Sequence, residues 1–234
     1  MFELITNTIS NILITPGINE IWNILLIDWF YLCYHNVFKI DYTNTARWFL
    51  LHSFVNMIVV YYAIDDVKLC IQHSNECYRM QWNYNSIKVY NYAFLLHIYH
   101  CVFFKLTKDD IIHHTLMVGI CGTLCYMLQS ILSSLALFFL SGLPGGIDYF
   151  LLYLVKKNII RSIVEKNMYT LLSAYFRSPG CILTTFIGLN GVSNYYSNKE
   201  YYRLFLLICT LSLIFWNGQY YLLKSHESYI RKSI

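Results

Sequence analysis

The sequence predicts an all-α, polytopic bundle of transmembrane helices with about seven spans, within a range of six to eight. Only 13% of its 234 residues are charged, whereas a soluble domain carries about 25%. The mean hydropathy is positive, at +0.43. Apolar runs close to the ~20 residues that a bilayer core requires recur along the chain. A single integral membrane domain therefore accounts for most of the sequence.

The boundaries of the spans follow from these apolar runs and from the polar stretches between them. The strongest turn signal is "SGLPGG", residues 141–146, because Gly and Pro interrupt regular structure. The run 113–141 is long for one crossing at ~1.5 Å per residue, so a short hairpin near Gln129 is the alternative. The predicted spans are 20–38, 46–63, 88–104, 113–141, 144–160, 180–193 and 203–223. They divide the chain into an N-terminal lumenal segment (1–19), a transmembrane domain (20–225) and a cytosolic basic tail (226–234).

Basic residues favour one orientation, because cytosolic loops carry an excess of Lys and Arg. With the N-terminus lumenal and the C-terminus cytosolic, twelve basic residues fall on the cytosolic side and five on the lumenal side. The tail "YIRKSI" is similar to a dilysine retrieval signal of the endoplasmic reticulum, and a basic flank of the last span is the alternative. The predicted location is therefore a membrane of the endoplasmic reticulum.

The cysteines fall into two groups. Most lie inside apolar runs, where Cys acts as a small hydrophobic residue. Cys121 and Cys125 have no second pair that would complete a zinc site, so we expect no bound metal. Cys70 and Cys77 lie in a polar loop that the orientation places in the lumen, where a disulfide between them is possible.

Polar residues inside the predicted spans are candidate functional groups, because an ionisable side chain in a membrane helix is costly and normally faces the bundle interior. His52 and Asn56 share one face of the second span, and His97 and His100 share one face of the third. His113 and His114 open the fourth span. The orientation brings these histidines to the cytosolic side, so we expect one shared cavity. The alternative is that each histidine forms a separate interhelical hydrogen bond or lies at a helix end among the headgroups. Asp109 and Asp110, just before the doublet, suit the start of a helix.

Several of these stretches resemble the TLC-domain family of multi-pass membrane proteins, which includes the ceramide synthases and lipid-handling proteins. The stretches are the second span with its His and Asn, "HHTLMVGI", "GGIDYFLLYLVKKN" and "FWNGQYYLLK". The resemblance covers roughly residues 40–225 and implies a TLC-like fold. It assigns catalytic roles to His113, His114 and Asp148, although the second aspartate of the synthase motif is absent here.

Three functions are compatible with these residues, and whether the protein is an enzyme stays open. The first is lipid binding, trafficking or regulation of membrane lipid composition, with membrane lipids as partners and a polar, histidine-lined cavity that holds a headgroup. The second is acyl transfer from acyl-CoA as co-substrate, with His113 or His114 as base and Asp148 orienting the imidazole. The third is a histidine-ligated membrane oxidase. No motif for a resident cofactor or for nucleic-acid binding is apparent.

Overall fold

The computed structural model describes residues 17–38 and 44–233, and within this part of the chain it is helical, without β-strands. Most of the predicted segment 1–19 lies outside the described residues. The long helices are α1 (Ile18–Phe38), α2 (Asn44–Gln72), α3 (Tyr84–Phe103), α4 (Lys108–Leu128), α5 (Leu132–Lys156), α6 (residues 162–197) and α7 (Tyr201–Ser233). One 3₁₀ turn, Cys77–Arg79, lies between α2 and α3.

The membrane character of the chain is shown by α4, α5 and α7, which are long and apolar enough to cross a bilayer. The all-α class is confirmed, because the described residues form helices and no strands. The count of about seven crossings and the TLC-like fold stay predictions. The helices also extend beyond the predicted spans: α2 continues to Gln72, and α7 continues through the predicted tail to Ser233.

The region 113–141 differs from the predicted single crossing. The chain turns at Gln129, which adopts a left-handed conformation (φ 51°), and α5 begins at Leu132. The turn is held by the loop before α3, because the Trp82 backbone N–H donates to the Gln129 carbonyl (2.8 Å) and the Ile131 N–H donates to the Met80 carbonyl (3.0 Å). The hairpin that was the alternative prediction is therefore correct.

The predicted turn at residues 141–146 is wrong, because α5 runs through it. Gly142 ends a π-helical stretch, Phe138–Gly142, and Pro144 occupies the first turn of the following α-helical stretch, where its missing N–H is tolerated. The glycines instead allow α5 to approach α2. A Cβ on Gly145 would lie 2.7 Å from the Asn56 amide nitrogen, and the Ser53 hydroxyl donates to the Gly146 carbonyl at 2.7 Å.

The two errors in the boundaries compensate each other in the path of the chain. The chain reverses at Gln129 and not at 141–146. The number of reversals is therefore unchanged, and α6 and α7 run in the directions that the sequence predicted. Two ends of the bundle can then be defined. The histidine end holds residues 104–107 and 157–161, and the disulfide end holds residues 73–83, 129–131 and 198–200.

The interior is apolar, and polar contacts link α1 to α2 and α3. One cluster joins α1, α2 and α3 through residues such as Ile24, Leu51 and Leu96. A second cluster lies at the disulfide end, where Ile131, Leu135 and Leu207 pack with Tyr78 and Tyr195. The polar links are Lys88 to Glu20, Arg47 to Asp28 (3.4 Å), Tyr99 to Asp28 (2.5 Å) and Asn23 to Tyr92 (2.7 Å).

Cys70 and Cys77 form a disulfide in the structure, with their Cα atoms 5.0 Å apart and both residues buried. We expect mass spectrometry of the unreduced protein to recover a bridged peptide from residues 70–77. Cys101, which is exposed and free, is the internal control and should be alkylated in the same sample. Alkylation of both Cys70 and Cys77 without reduction would contradict the bridge.

Glycine allows a close contact between α6 and α7. A Cβ on Gly218 would lie 2.7 Å from the Cβ of Cys181 and 3.5 Å from the Cα of Ser178, and these atoms cannot rotate away. We expect Gly218→Leu to destabilise the protein by about 1–3 kcal/mol through overpacking, seen as a lower midpoint of thermal unfolding in detergent. Gly119→Leu is the matched control, since Gly119 is exposed and a Cβ there meets only its own helix at 3.5 Å. Equal midpoints for the two variants would contradict this packing.

Candidate functional site

A cavity of about 650 Å³ lies inside the bundle and opens toward the histidine end. This volume is in the range of small-molecule sites. Its inner part is apolar, with Tyr90, Phe94, Met117, Cys121 and Ile214 in its wall. Its outer part is polar and charged, lined by His52, Asn56, His97, His100, His113, His114, Asp148, Tyr149, Tyr169, Arg177, Asn217, Tyr221 and Lys224. The cavity is therefore amphipathic along its length.

The helical periodicity explains how the predicted residues reach this cavity. His52 and Asn56 lie one turn apart on α2, and His97 and His100 lie one turn apart on α3. The short connection between α3 and α4 places the doublet beside the end of α3, with ring centroids of His100 and His114 5.1 Å apart. The structure brings all seven sequence-predicted residues, including Asp148 on α5, to one cavity.

Three hydrogen bonds fix the tautomers of His97 and His113 when both rings are neutral. His97 Nδ1 lies 2.6 Å from the Ala93 carbonyl, which only accepts, so Nδ1 carries the proton and Nε2 is an acceptor. His113 Nε2, 3.4 Å away, then donates to His97 Nε2. His113 Nδ1 is left as an acceptor for the Tyr221 hydroxyl at 3.2 Å. Both ring nitrogens of His113 are thus occupied within the protein.

The second member of the doublet occupies a different environment. His114 Nε2 lies 3.4 Å from His100 Nδ1, and His114 Nδ1 lies 3.2 Å from the Cys101 sulfur. His100 is stacked on Trp48, with ring centroids 3.9 Å apart. His100 and His114 therefore line the cavity together, where the end of α3 meets the start of α4.

Three buried polar atoms of residues that line this cavity have no hydrogen-bond partner within the protein. They are His52 Nδ1 and both amide atoms of Asn56, whereas the nearby Asp148 carboxyl is hydrogen-bonded to Glu165. The three residues are at least 92% buried. The His52 ring is stacked on Tyr149 of α5 (3.7 Å between centroids). Buried polar groups are normally paired, so these atoms mark a place where a ligand would complete the hydrogen bonding.

Sequence reasoning missed the contribution of α6. Arg177 is buried, its Nε donates to the Leu140 carbonyl (3.0 Å), and its guanidinium lies over the rings of Tyr169 and Tyr221. Asp148 interacts electrostatically with Glu165, Arg177 and Lys166. The available signal was Arg177 itself, a basic residue just before the predicted span 180–193.

Ion pairs lie around the polar end of the cavity. Lys224 pairs with Asp109 (2.6 Å), Lys166 with Glu165 (3.0 Å), and Arg231 with Glu227 (3.8 Å). The predicted capping role is confirmed for Asp110, which forms a capping box with Thr107 at the start of α4. Asp109 instead links α4 to α7.

Three stretches of π-helix in the described residues, His114–Cys121, Phe138–Gly142 and Ser173–Arg177, all contribute to the cavity wall. Such stretches are rare in helices and frequent at functional sites. Within residues 17–38 and 44–233, no group of three or more His, Cys, Asp or Glu side chains has the geometry to hold a metal ion.

Comparisons with known proteins find no relative. No protein-family model matches the chain. Neither the curated proteins nor the solved structures contain a significant match.

Proposed function

We propose that this protein binds a membrane lipid in the cavity, and that it acts in lipid binding, trafficking or the regulation of membrane lipid composition. The observation that carries the proposal is the amphipathic cavity itself. Its apolar wall from Tyr90 and its polar end at His100 are ten residues apart on α3, which corresponds to about 15 Å along a helix. A lipid would place its headgroup among the histidines and its acyl chain toward Tyr90.

The proposal includes a location and an orientation. The bundle would lie in the endoplasmic reticulum membrane with its seven long helices crossing it, the disulfide end in the lumen and the histidine end in the cytosol. The Cys70–Cys77 disulfide supports this, because such bonds persist in oxidising compartments. The excess of basic residues at the histidine end supports it as well. Cysteine-accessibility labelling that placed residues 198–200 in the cytosol would contradict it.

Filling the apolar part of the cavity tests the proposal. Met117 lies in the cavity wall, so Met117→Trp should exclude an acyl chain and reduce the lipid that copurifies with the protein, measured by mass spectrometry of extracted lipid. Ile120→Trp is the matched control, because Ile120 lies on the outer face of the same helix and is 47% exposed. Equal lipid content in the two variants and the wild type would contradict the proposal.

Acyl transfer is the second candidate, in the manner that the TLC resemblance implies. The observation that favours it is that Asp148 lines the same cavity as His113 and His114, which a single crossing over 113–141 would have prevented. Against it, the ring nitrogens of His113 contact Tyr221 and His97. Lipid analysis of cells that express the wild type or the His113→Ala/His114→Ala variant decides between them. A wild-type-specific amide- or ester-linked lipid would favour the enzyme.

A further inference from the structure

We propose that His52, Asn56 and Asp148 form the headgroup subsite of the cavity, and that the headgroup is uncharged and hydroxyl-bearing, so that it both donates and accepts hydrogen bonds. This inference rests on the proposed function, since it requires that a lipid enters the cavity. It names the chemistry that the polar end recognises.

The subsite is built by two helices in close contact. On α2, His52 and Asn56 lie one turn apart, and on α5, Gly145, Asp148 and Tyr149 face them. Tyr149 stacks on His52, and the Asn56 amide lies against Gly145, where a Cβ would be 2.7 Å away. Glycine at position 145 therefore leaves room for the amide at the cavity wall.

The unpartnered atoms define what the ligand must offer. Asn56 Oδ1 needs a donor, and Asn56 Nδ2 needs an acceptor. A hydroxyl supplies both roles. A dianionic phosphate supplies acceptors only and would leave Asn56 Oδ1 without a donor.

The cations near the cavity do not compensate for that mismatch. Lys224, Lys166 and Arg231 are each paired with a carboxylate of this chain. Arg177 also lines the cavity, but its Nε donates to the Leu140 carbonyl and its charge is set against that of Asp148. Lys232 lies exposed at the end of α7. A phosphate would have to compete with these pairs, whereas a neutral headgroup leaves them intact. The charge arrangement therefore favours an uncharged head over an anionic one.

Three single-chain lipids with the same acyl chain test the assignment: 1-palmitoylglycerol, methyl palmitate and 1-palmitoyl lysophosphatidic acid. Each is titrated into the delipidated protein in detergent and followed by native mass spectrometry. We expect 1-palmitoylglycerol to bind most tightly. Asn56→Leu should weaken its binding about tenfold or more, because a buried hydrogen-bonded pair is lost, and should change methyl palmitate binding little.

Two further variants separate recognition from folding. Thr210→Val is the control, because this buried hydroxyl already donates to the Leu206 carbonyl of its own helix, and it should leave binding unchanged. Gly145→Ala pushes on the Asn56 amide and should weaken 1-palmitoylglycerol binding as well. The ligand-free Asn56→Leu protein should unfold at no lower temperature than the wild type, since its amide has no partner to lose.

The possible outcomes are distinct. Unchanged 1-palmitoylglycerol affinity in Asn56→Leu would overturn the subsite. Equal or tighter binding of methyl palmitate or of lysophosphatidic acid by the wild type would overturn the headgroup chemistry while leaving lipid binding in place. Failure of all three lipids to bind would overturn this inference and the proposed function together.

Discussion

Replacing Lys88 by Met is expected to lower the free energy of unfolding by about 3–5 kcal/mol, the cost of leaving a buried charge without its partner. Lys88 forms an ion pair with Glu20, and the side chains are only 12% and 0% exposed. The pair joins α3 to α1, and without the ammonium the fully buried Glu20 carboxylate would be left unpaired. The measurement is unfolding by SDS titration in mixed micelles.

Two further variants make this expectation specific. Lys68→Met should change the free energy of unfolding by less than about 1 kcal/mol, since Lys68 and its partner Asp65 are both more than 60% exposed. Glu20→Gln combined with Lys88→Met should recover most of the loss, because no buried charge is then left unpaired. If Lys88→Met alone is no less stable than the Lys68→Met control, the Lys88–Glu20 pair does not hold α1 in place.

Replacing Arg177 by Met is expected to cost about 3 kcal/mol and to disturb the cavity. The side chain is buried, bonds the Leu140 carbonyl and lies over Tyr169 and Tyr221. A hydrogen bond from a charged group contributes about 1.5–3 kcal/mol. Removing the cation also leaves Asp148 with less compensation for its charge. The readouts are the free energy of unfolding and the amount of copurified lipid.

The matched controls for Arg177 separate charge from geometry. Arg177→Lys keeps the charge but not the planar guanidinium that lies over the rings, so its loss should be intermediate. Arg231→Met should be close to neutral, because Arg231 is 81% exposed in its pair with Glu227. Equal stability of Arg177→Met and Arg231→Met would contradict a structural role for the buried guanidinium.

The helical class and the convergence of the histidines could be predicted from the sequence, because both follow from local patterns. Apolar runs define helices in a membrane, and a spacing of three or four residues places His97 with His100 and His52 with Asn56 on one helical face. The short connection before His113 then determines which helix ends meet.

The sequence offered the reversal at Gln129 only as an alternative, because tertiary contacts and not local sequence hold this turn. No Gly or Pro marks the turn, and it depends on backbone hydrogen bonds to Trp82 and Met80 in a distant loop. Residues 141–146 were misread for the opposite reason. Gly145 and Gly146 serve the close approach of α2 and α5, and local sequence does not distinguish a glycine that packs from one that turns. The role of Arg177 depends likewise on partners from α5 and α7.

Photo-crosslinking tests most directly whether a lipid occupies the cavity. Cells that express the protein are supplied with a fatty acid that carries a diazirine in its acyl chain, and the crosslinked residues are mapped by mass spectrometry after illumination. We expect crosslinks on the cavity-facing residues Tyr90, Phe94 and Cys121, which Met117→Trp should abolish and Ile120→Trp should preserve. Crosslinks confined to the outer faces of the helices, with no difference between the two variants, would contradict a lipid-binding cavity.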